Sequence, residues 1–171
     1  LPDLYLGSGM FEADVTVSRQ PRFGDCRAGV SLYGPDGSLL AKDAGPVQKE
    51  AQYRTDQVPT ANTARVRIPL KEVELWSPEQ PMLYTAVFTL FGPDGDVLDV
   101  EACRFGFKRI EVRSGVVYLN GKRLVIRGVN RHEHFYPTGR AGTREQMLEE
   151  IRQMKRMNIN GVRTCHYPDC P

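Results

Sequence analysis

Residues 124–132 read L-V-I-R-G-V-N-R-H. An apolar run turns into a polar tip within a few positions. A second such tip, V-R-T-C-H-Y-P, spans 162–168 and carries Arg163 and His166. Between them, Met147, Leu148, Ile151 and Met154 recur at helical spacing. Thr143 is a suitable N-cap, and Gln146 three residues on completes a capping box. Lys155 and Arg156 stand where cations complement the helix dipole. The order is strand, helix, strand, with reactive side chains at both strand ends. A parallel α/β barrel builds its site in this way. The methionines are expected to be core filler.

Upstream, Val116–Leu119 and Lys122–Ile126 flank Asn120-Gly121, the pair favoured in type I′ hairpin turns. The second arm is expected to run on without a break to Val129.

Before residue 110 the periodicity is two. In F-E-A-D-V-T-V-S at 11–18, Phe11, Ala13, Val15 and Val17 share one face. The same alternation places Ala28, Val30 and Leu32 together, then Val66 and Ile68, then Tyr84, Ala86, Phe88 and Leu90. L-Y-G-P-D-G-S-L-L at 32–40 is echoed by L-F-G-P-D-G-D-V-L at 90–98. Each echo is a hairpin turn: Pro presets φ and the last Gly takes positive φ. Short alternating strands with such turns predict a seven-stranded immunoglobulin-like β-sandwich over 1–110. The weakly patterned stretch 42–62 reads as one or two edge strands with loops. Pro78 and Pro81 exclude a central strand around Trp76, which reads as an aromatic plug at one end of the sandwich. The fold class is therefore mainly β: a sandwich, then at 111–171 the first β-α-β portion of an incomplete (β/α)8 barrel.

Composition narrows the function classes. The 171 residues carry a net charge of only +2, with the signs interspersed, so no basic stripe for nucleic acid is present. No apolar stretch reaches the roughly 18 residues of a membrane span. The N-terminus shows no basic-then-apolar secretory pattern and begins abruptly without Met, which suggests a piece of a longer chain. The expected location is the cytoplasm. Cys26 and Cys103 lie in strand-like segments where a bridge between sheets is open to them. Nothing else points to an oxidising compartment, so Cys26, Cys103, Cys165 and Cys170 are expected to be reduced thiols.

Four blocks carry a resemblance: L-W-S-P-E-Q-P-M-L-Y at 75–84, E-A-C-R-F-G-F-K at 101–108, L-N-G-K-R-L-V-I-R-G-V-N-R-H-E-H at 119–134, and N-G-V-R-T-C-H-Y-P at 160–168. With them the chain resembles the large bacterial β-galactosidases of glycoside hydrolase family 2, from about residue 10 onward. The resemblance implies a retaining hydrolase of terminal β-D-galactosides, with one carboxyl as acid/base and a second as nucleophile. It places both glutamates, and most ligands of an Mg2+, on later barrel strands, and leaves room for a Na+ in the longer protein. No catalytic residue and no cofactor is therefore expected within this piece, which is expected to be inactive alone.

What the resemblance does transfer is specific. His132 and His166 match histidines that hydrogen-bond galactosyl hydroxyls and stabilise the transition state; Arg163 matches an arginine that orients the nucleophile carboxylate. Asn130 and Arg131 are assigned to loop packing, and Glu133 and His134 to structural loop positions. A buried, satisfied core role is an equal reading for His134. A zinc site from His132, Glu133 and His134 with His166 or Cys165 is chemically open, but no metal is assigned. The expected partner is a β-galactoside. A short barrel segment would leave an apolar edge at Leu124–Val129, which points to packing on the sandwich or to a homo-oligomer. Two other readings stay open: a non-catalytic sandwich spacer or binding module, and another family 2 specificity such as β-glucuronidase.

Overall fold

The alternation at 11–17 becomes strand β1 (Gly9–Val17), in a computed structural model that describes residues 2–4, 7–17, 26–51 and 60–168, with backbone alone at 49–51, 60 and 61. Ser18, Cys170 and the stretch 52–59 lie outside the described residues. Phe11 turns inward, while Glu12 and Asp14 face water. The remaining sandwich strands are β2 (Arg27–Tyr33), β3 (Leu39–Pro46), β4 (Gln48–Ala51), β5 (Thr60–Leu70), β6 (Tyr84–Phe91) and β7 (Val97–Phe105). They form two antiparallel sheets, in the orders β1-β5-β4 and β3-β2-β6-β7. Seven strands in two sheets make the immunoglobulin-like sandwich. Of the strands that overlap 42–62, β3 and β4 are edge strands, and β5, which begins at Thr60, is central.

Register follows burial, because a slip of one residue would turn every apolar side chain outward. Across β1 and β5, Phe11 faces Ile68 and Ala13 faces Val66. On the other face, Glu12 pairs with Arg67 at 3.0 Å and Asp14 with Arg65 at 2.8 Å. These exposed pairs are worth at most about 1 kcal/mol each. The core carries the stability: Val30, Leu32, Val66, Ile68, Tyr84 and Ala86 are all buried, and each large aliphatic contributes roughly 1.5–3 kcal/mol. Tyr84, Phe105 and Phe107 form an aromatic cluster with centroids 5.0–5.7 Å apart. The two echoed turns close alike: Gly37 donates to the Gly34 carbonyl and Gly95 to that of Gly92, with φ of 82° and 83°. Cys26 is buried and Cys103 exposed, and no disulfide joins them.

Trp76 is half-buried rather than a plug. Its side chain lies across Gly106, where any Cβ would meet it at 2.6 Å, and Lys108 Nζ sits 4.8 Å from its ring. Its carbonyl accepts from Asn120 Nδ2 at 3.0 Å.

A short meander follows: β8 (Ile110–Arg113), β9 (Val116–Leu119) and β10 (Lys122–Arg123). Asn120 and Gly121 turn between β9 and β10 with φ of 50° and 76°, as a type I′ turn requires. Contacts divide the chain into Leu1–Val112 with Tyr118–Lys122, and Arg113–Val117 with Arg123–Pro171. The second unit holds β11 (Gly128–Arg131), α1 (Arg144–Arg156) and β12 (Gly161–Thr164), the first β-α-β of a barrel that is not closed.

Two expectations are corrected in this unit. The arm after Asn120-Gly121 does not run on to Val129; Leu124 N–H makes a last bond to the Val117 carbonyl at 2.8 Å, and residues 125–127 leave the ladder. Asn160 replaces the missing strand partner: its side-chain carbonyl accepts from Arg127 N–H at 2.7 Å, and its amide donates to the Val125 carbonyl at 2.9 Å. Val125 and Ile126 stay exposed, as expected of an apolar edge. Secondly, the α1 stripe is not core filler. Met147, Leu148 and Met154 are half-covered and Ile151 is 54% exposed, because a two-stranded sheet presents too little surface to bury a helix face. The capping box at Thr143 and Gln146 is present in full. Among the described residues, no helix is long and apolar enough to cross a membrane.

Candidate active site

β11 and β12 run parallel, pairing Asn130 with Arg163 and Arg131 with Thr164. The residues immediately after these pairs, His132 and Cys165, therefore leave the sheet at the same height. Cys165 N–H donates to the Arg131 carbonyl at 2.8 Å and extends the ladder by one step. His166 follows, and its ring lies edge-on to His132 at 5.7 Å. The three sequence-predicted residues thus come together. Arg163 Nη2 stands 3.3 Å from His166 Nδ1, and Arg163 Nη1 lies 3.5 Å from both Asn130 Oδ1 and Cys165 Sγ. His132, Arg163 and His166 are all exposed, and Cys165 is buried beneath them.

The loop assignment of Asn130 and Arg131 is corrected: both are strand residues of β11. Asn130 touches the Arg163 guanidinium. Arg131 is the hub of a buried ionic network. Its Nε reaches Glu150 on α1 at 2.9 Å and its Nη1 reaches Glu133 at 3.4 Å. Its guanidinium also stands over the Phe135 ring at 5.9 Å. With Arg131 at 11% exposure and Glu133 at 10%, each charge relies on the other. Glu133 is thus held within this network. His134, in contrast, is exposed, so the core reading of it does not hold.

Three contributors carried no signal of their own. Tyr167 Oη accepts from Glu133 N–H at 2.9 Å and packs 6.5 Å from the His132 ring. Arg140 lies over the other part of the motif, 5.0 Å from the Tyr167 ring. Glu150 lies beside the apolar stripe of α1 and faces Arg131. The preference of Asn for turns was a usable signal for Asn160; nothing local marks Glu150.

The arrangement offers two imidazoles and a guanidinium at the open carboxyl end of two parallel strands. These are donors for hydroxyls and for a carboxylate. The acidic groups beside them, Glu133 and Glu150, are both engaged by Arg131. Among the described residues, one group could ligate a metal: His132, Cys165 and His166. Its nitrogen and sulfur donors do not suit Mg2+, which requires oxygen ligands. A separate hollow of about 450 Å³ in the sandwich, lined by Ala13, Val15, Phe88 and Leu90, brings in no His or Cys.

Comparison with known proteins bears on this geometry. The family model "Glycosyl hydrolases family 2" matches residues 2–108, and "Glycosyl hydrolases family 2, TIM barrel domain" matches residues 110–171. The chain is 37% identical to beta-galactosidase 2 of Enterobacter cloacae over 168 residues, covering 97% of this chain and 16% of that protein. It is 36% identical to a beta-galactosidase of Halalkalibacterium halodurans over 167 residues, covering 98% of this chain and 15% of that protein. The chain thus spans about one sixth of the length of these curated relatives. The structure of Bifidobacterium dentium beta-glucuronidase, solved with coumarin-3-O-glucuronide, superposes with a TM-score of 0.80 at 24% identity, over 95% of this chain and 24% of that one. That likeness is one of fold. With a sandwich and a barrel start in the family's order, and matches to both segments, the chain belongs to glycosyl hydrolases family 2.

Proposed function

We propose that this chain forms part of the sugar-binding shell of a retaining β-galactosidase. The observation that supports this most is the convergence of His132, Arg163 and His166 at the carboxyl ends of β11 and β12, in a chain 36–37% identical to β-galactosidases over nearly its whole length. The two imidazoles donate to galactosyl hydroxyls and strengthen as the ring flattens toward an oxocarbenium-like state. Arg163 holds a carboxylate through its planar fork. Retaining hydrolysis needs two carboxyls roughly 5–5.5 Å apart across the glycosidic bond. Glu133 and Glu150 do not serve, since Arg131 engages both. The acid/base and nucleophile glutamates, with the ligands of the family's magnesium, belong to later barrel strands of the longer protein. The working protein is a cytoplasmic homo-oligomer in this reading.

The test uses the 171-residue polypeptide. A chromogenic β-galactoside should show no turnover above buffer. Titration with a non-hydrolysable β-thiogalactoside should shift the imidazole proton resonances of His132 and His166, whereas the matching β-thioglucuronide should not. Equal response to both sugars would reject galactoside selectivity, and no response to either would reject the sugar-binding role.

A further inference from the structure

Each of His132, Cys165 and His166 brings one potential ligand atom within 4.8 Å of the other two. We propose that these three side chains form a binding site for a thiophilic divalent transition-metal cation of the Zn2+ class. Three observations carry it. The donor set is two imidazoles and one thiol, which selects soft and borderline ions over Mg2+ or Ca2+. Its architecture is open: Cys165, at 2% exposure, forms the floor, while the two exposed imidazoles form the rim and leave a fourth position to water. Its dimensions are near those required. Zinc bonds of about 2.0–2.3 Å place ligand atoms roughly 3.5 Å apart. Closing from 4.8 Å asks about 1 Å of movement from two solvent-exposed rings.

Arg163 sets the terms of binding. Its guanidinium touches Cys165 Sγ at 3.5 Å and His166 Nδ1 at 3.3 Å, so an ion on that sulfur must displace it. Cysteine binds metal as thiolate, so the exchange releases one proton to solvent: Cys-SH plus M2+ gives Cys-S-M+ plus H+. The new negative sulfur offsets the repulsion between Arg163 and the ion. Glu133 and His134 take no part; the first is held by Arg131 and the second lies outside the cluster. An imidazole nitrogen bound to metal cannot donate to a hydroxyl, so the ion competes with a galactoside for these side chains. That consequence, unlike the site itself, rests on the proposed sugar-binding role.

Cobalt(II) is the probe, titrated into the reduced 171-residue chain carrying Cys103→Ser and Cys170→Ser. A thiolate-to-cobalt charge-transfer band should grow in the near ultraviolet, saturate at one equivalent, and be chased by Zn2+. Cys165→Ser should abolish the band. His132→Asn and His166→Asn should each weaken binding by about tenfold or more. Arg163→Leu keeps all three ligands and removes the competing cation, so it should bind cobalt more tightly. Far-ultraviolet circular dichroism checks folding. Should Cys165→Ser fail to fold, His166→Asn and Arg163→Leu carry the test, and unchanged affinity in both overturns the site. So does absence of the band at saturating cobalt, or its survival in folded Cys165→Ser. A β-thiogalactoside that leaves an established band unchanged overturns that competition while the metal site stands.

Discussion

Tyr167 and Glu133 are joined across the two strand ends: the phenol oxygen accepts the Glu133 N–H at 2.9 Å and lies 3.4 Å from the Glu133 carbonyl oxygen. This one side chain ties the segment after β12 to the segment after β11. His132 precedes Glu133 and His166 precedes Tyr167, so the tie sets the spacing of the two imidazoles. Tyr167→Phe keeps the ring and removes the acceptor, leaving a half-buried N–H without it. The expected cost is roughly 1–3 kcal/mol. Amide exchange at Glu133 should accelerate while exchange at Val30 and Leu32 stays unchanged. Equal protection of Glu133 in both proteins would show that the hydroxyl does not hold the loops.

Arg131 makes the corresponding link from β11 to α1. Arg131→Met leaves Glu133 buried without its cation and should destabilise the β-α-β unit by about 3–5 kcal/mol. Adding Glu133→Gln removes the stranded charge and should recover most of that loss. Urea unfolding followed at Tyr167 and at α1 resonances is the measurement. No recovery in the double variant would mean that Arg131 acts through packing on Phe135 rather than through its charge.

These two links show where the sequence was readable and where it was not. The sandwich was legible because β1 and β2 turn alternate side chains into the core, so period two had to appear at Phe11–Val17 and at Ala28–Leu32. Convergence of His132 and His166 was legible because parallel pairing places consecutive strand tips side by side. The break at 125–127 was not. Leu124, Val125 and Ile126 are good strand formers, and only the side chain of Asn160, brought in from beyond α1, diverts their backbone. The role of Arg131 was hidden for a similar reason. Its partner Glu150 reads as a surface residue until the helix is docked. The α1 methionines show the converse: their spacing states which face is apolar, and only the surface opposite decides how far it is buried.

Gly142 tests the packing of the loop that carries the second turn of this site. A Cβ there would meet the Phe135 ring at 2.2 Å, and Phe135 in turn supports the Arg131 guanidinium. Gly142→Ala must push the ring aside, with an expected loss of roughly 1–3 kcal/mol. Gly37→Ala offers the contrasting case, since its Cβ meets nothing and only the positive φ opposes it. That variant should lose less, about 1 kcal/mol, and only from the sandwich. Comparing thermal unfolding of the two variants, with resonances of each unit as separate probes, checks both. A Gly142→Ala protein with an undisturbed Phe135 ring would contradict the steric account.

The start of α1 makes the chain sensitive to acid. Glu145 lies in the first turn, where its own backbone N–H and the Thr143 hydroxyl hold its carboxyl below the ordinary glutamate value of 4.5. A folded-state value below the unfolded one means the folded state binds its proton less readily. The resulting stabilisation is fully present above the unfolded value, hence at neutral pH, and is lost as pH falls through the lower, folded value. Glu145→Gln removes this dependence while leaving the Thr143–Gln146 capping box in place. Helix resonances of α1, followed from pH 7 to about pH 2, should therefore fray on acidification in the parent and respond less in the variant. Identical acid responses in the two proteins would assign the effect to other carboxylates, with the Glu133 and Glu150 partners of Arg131 the next to replace.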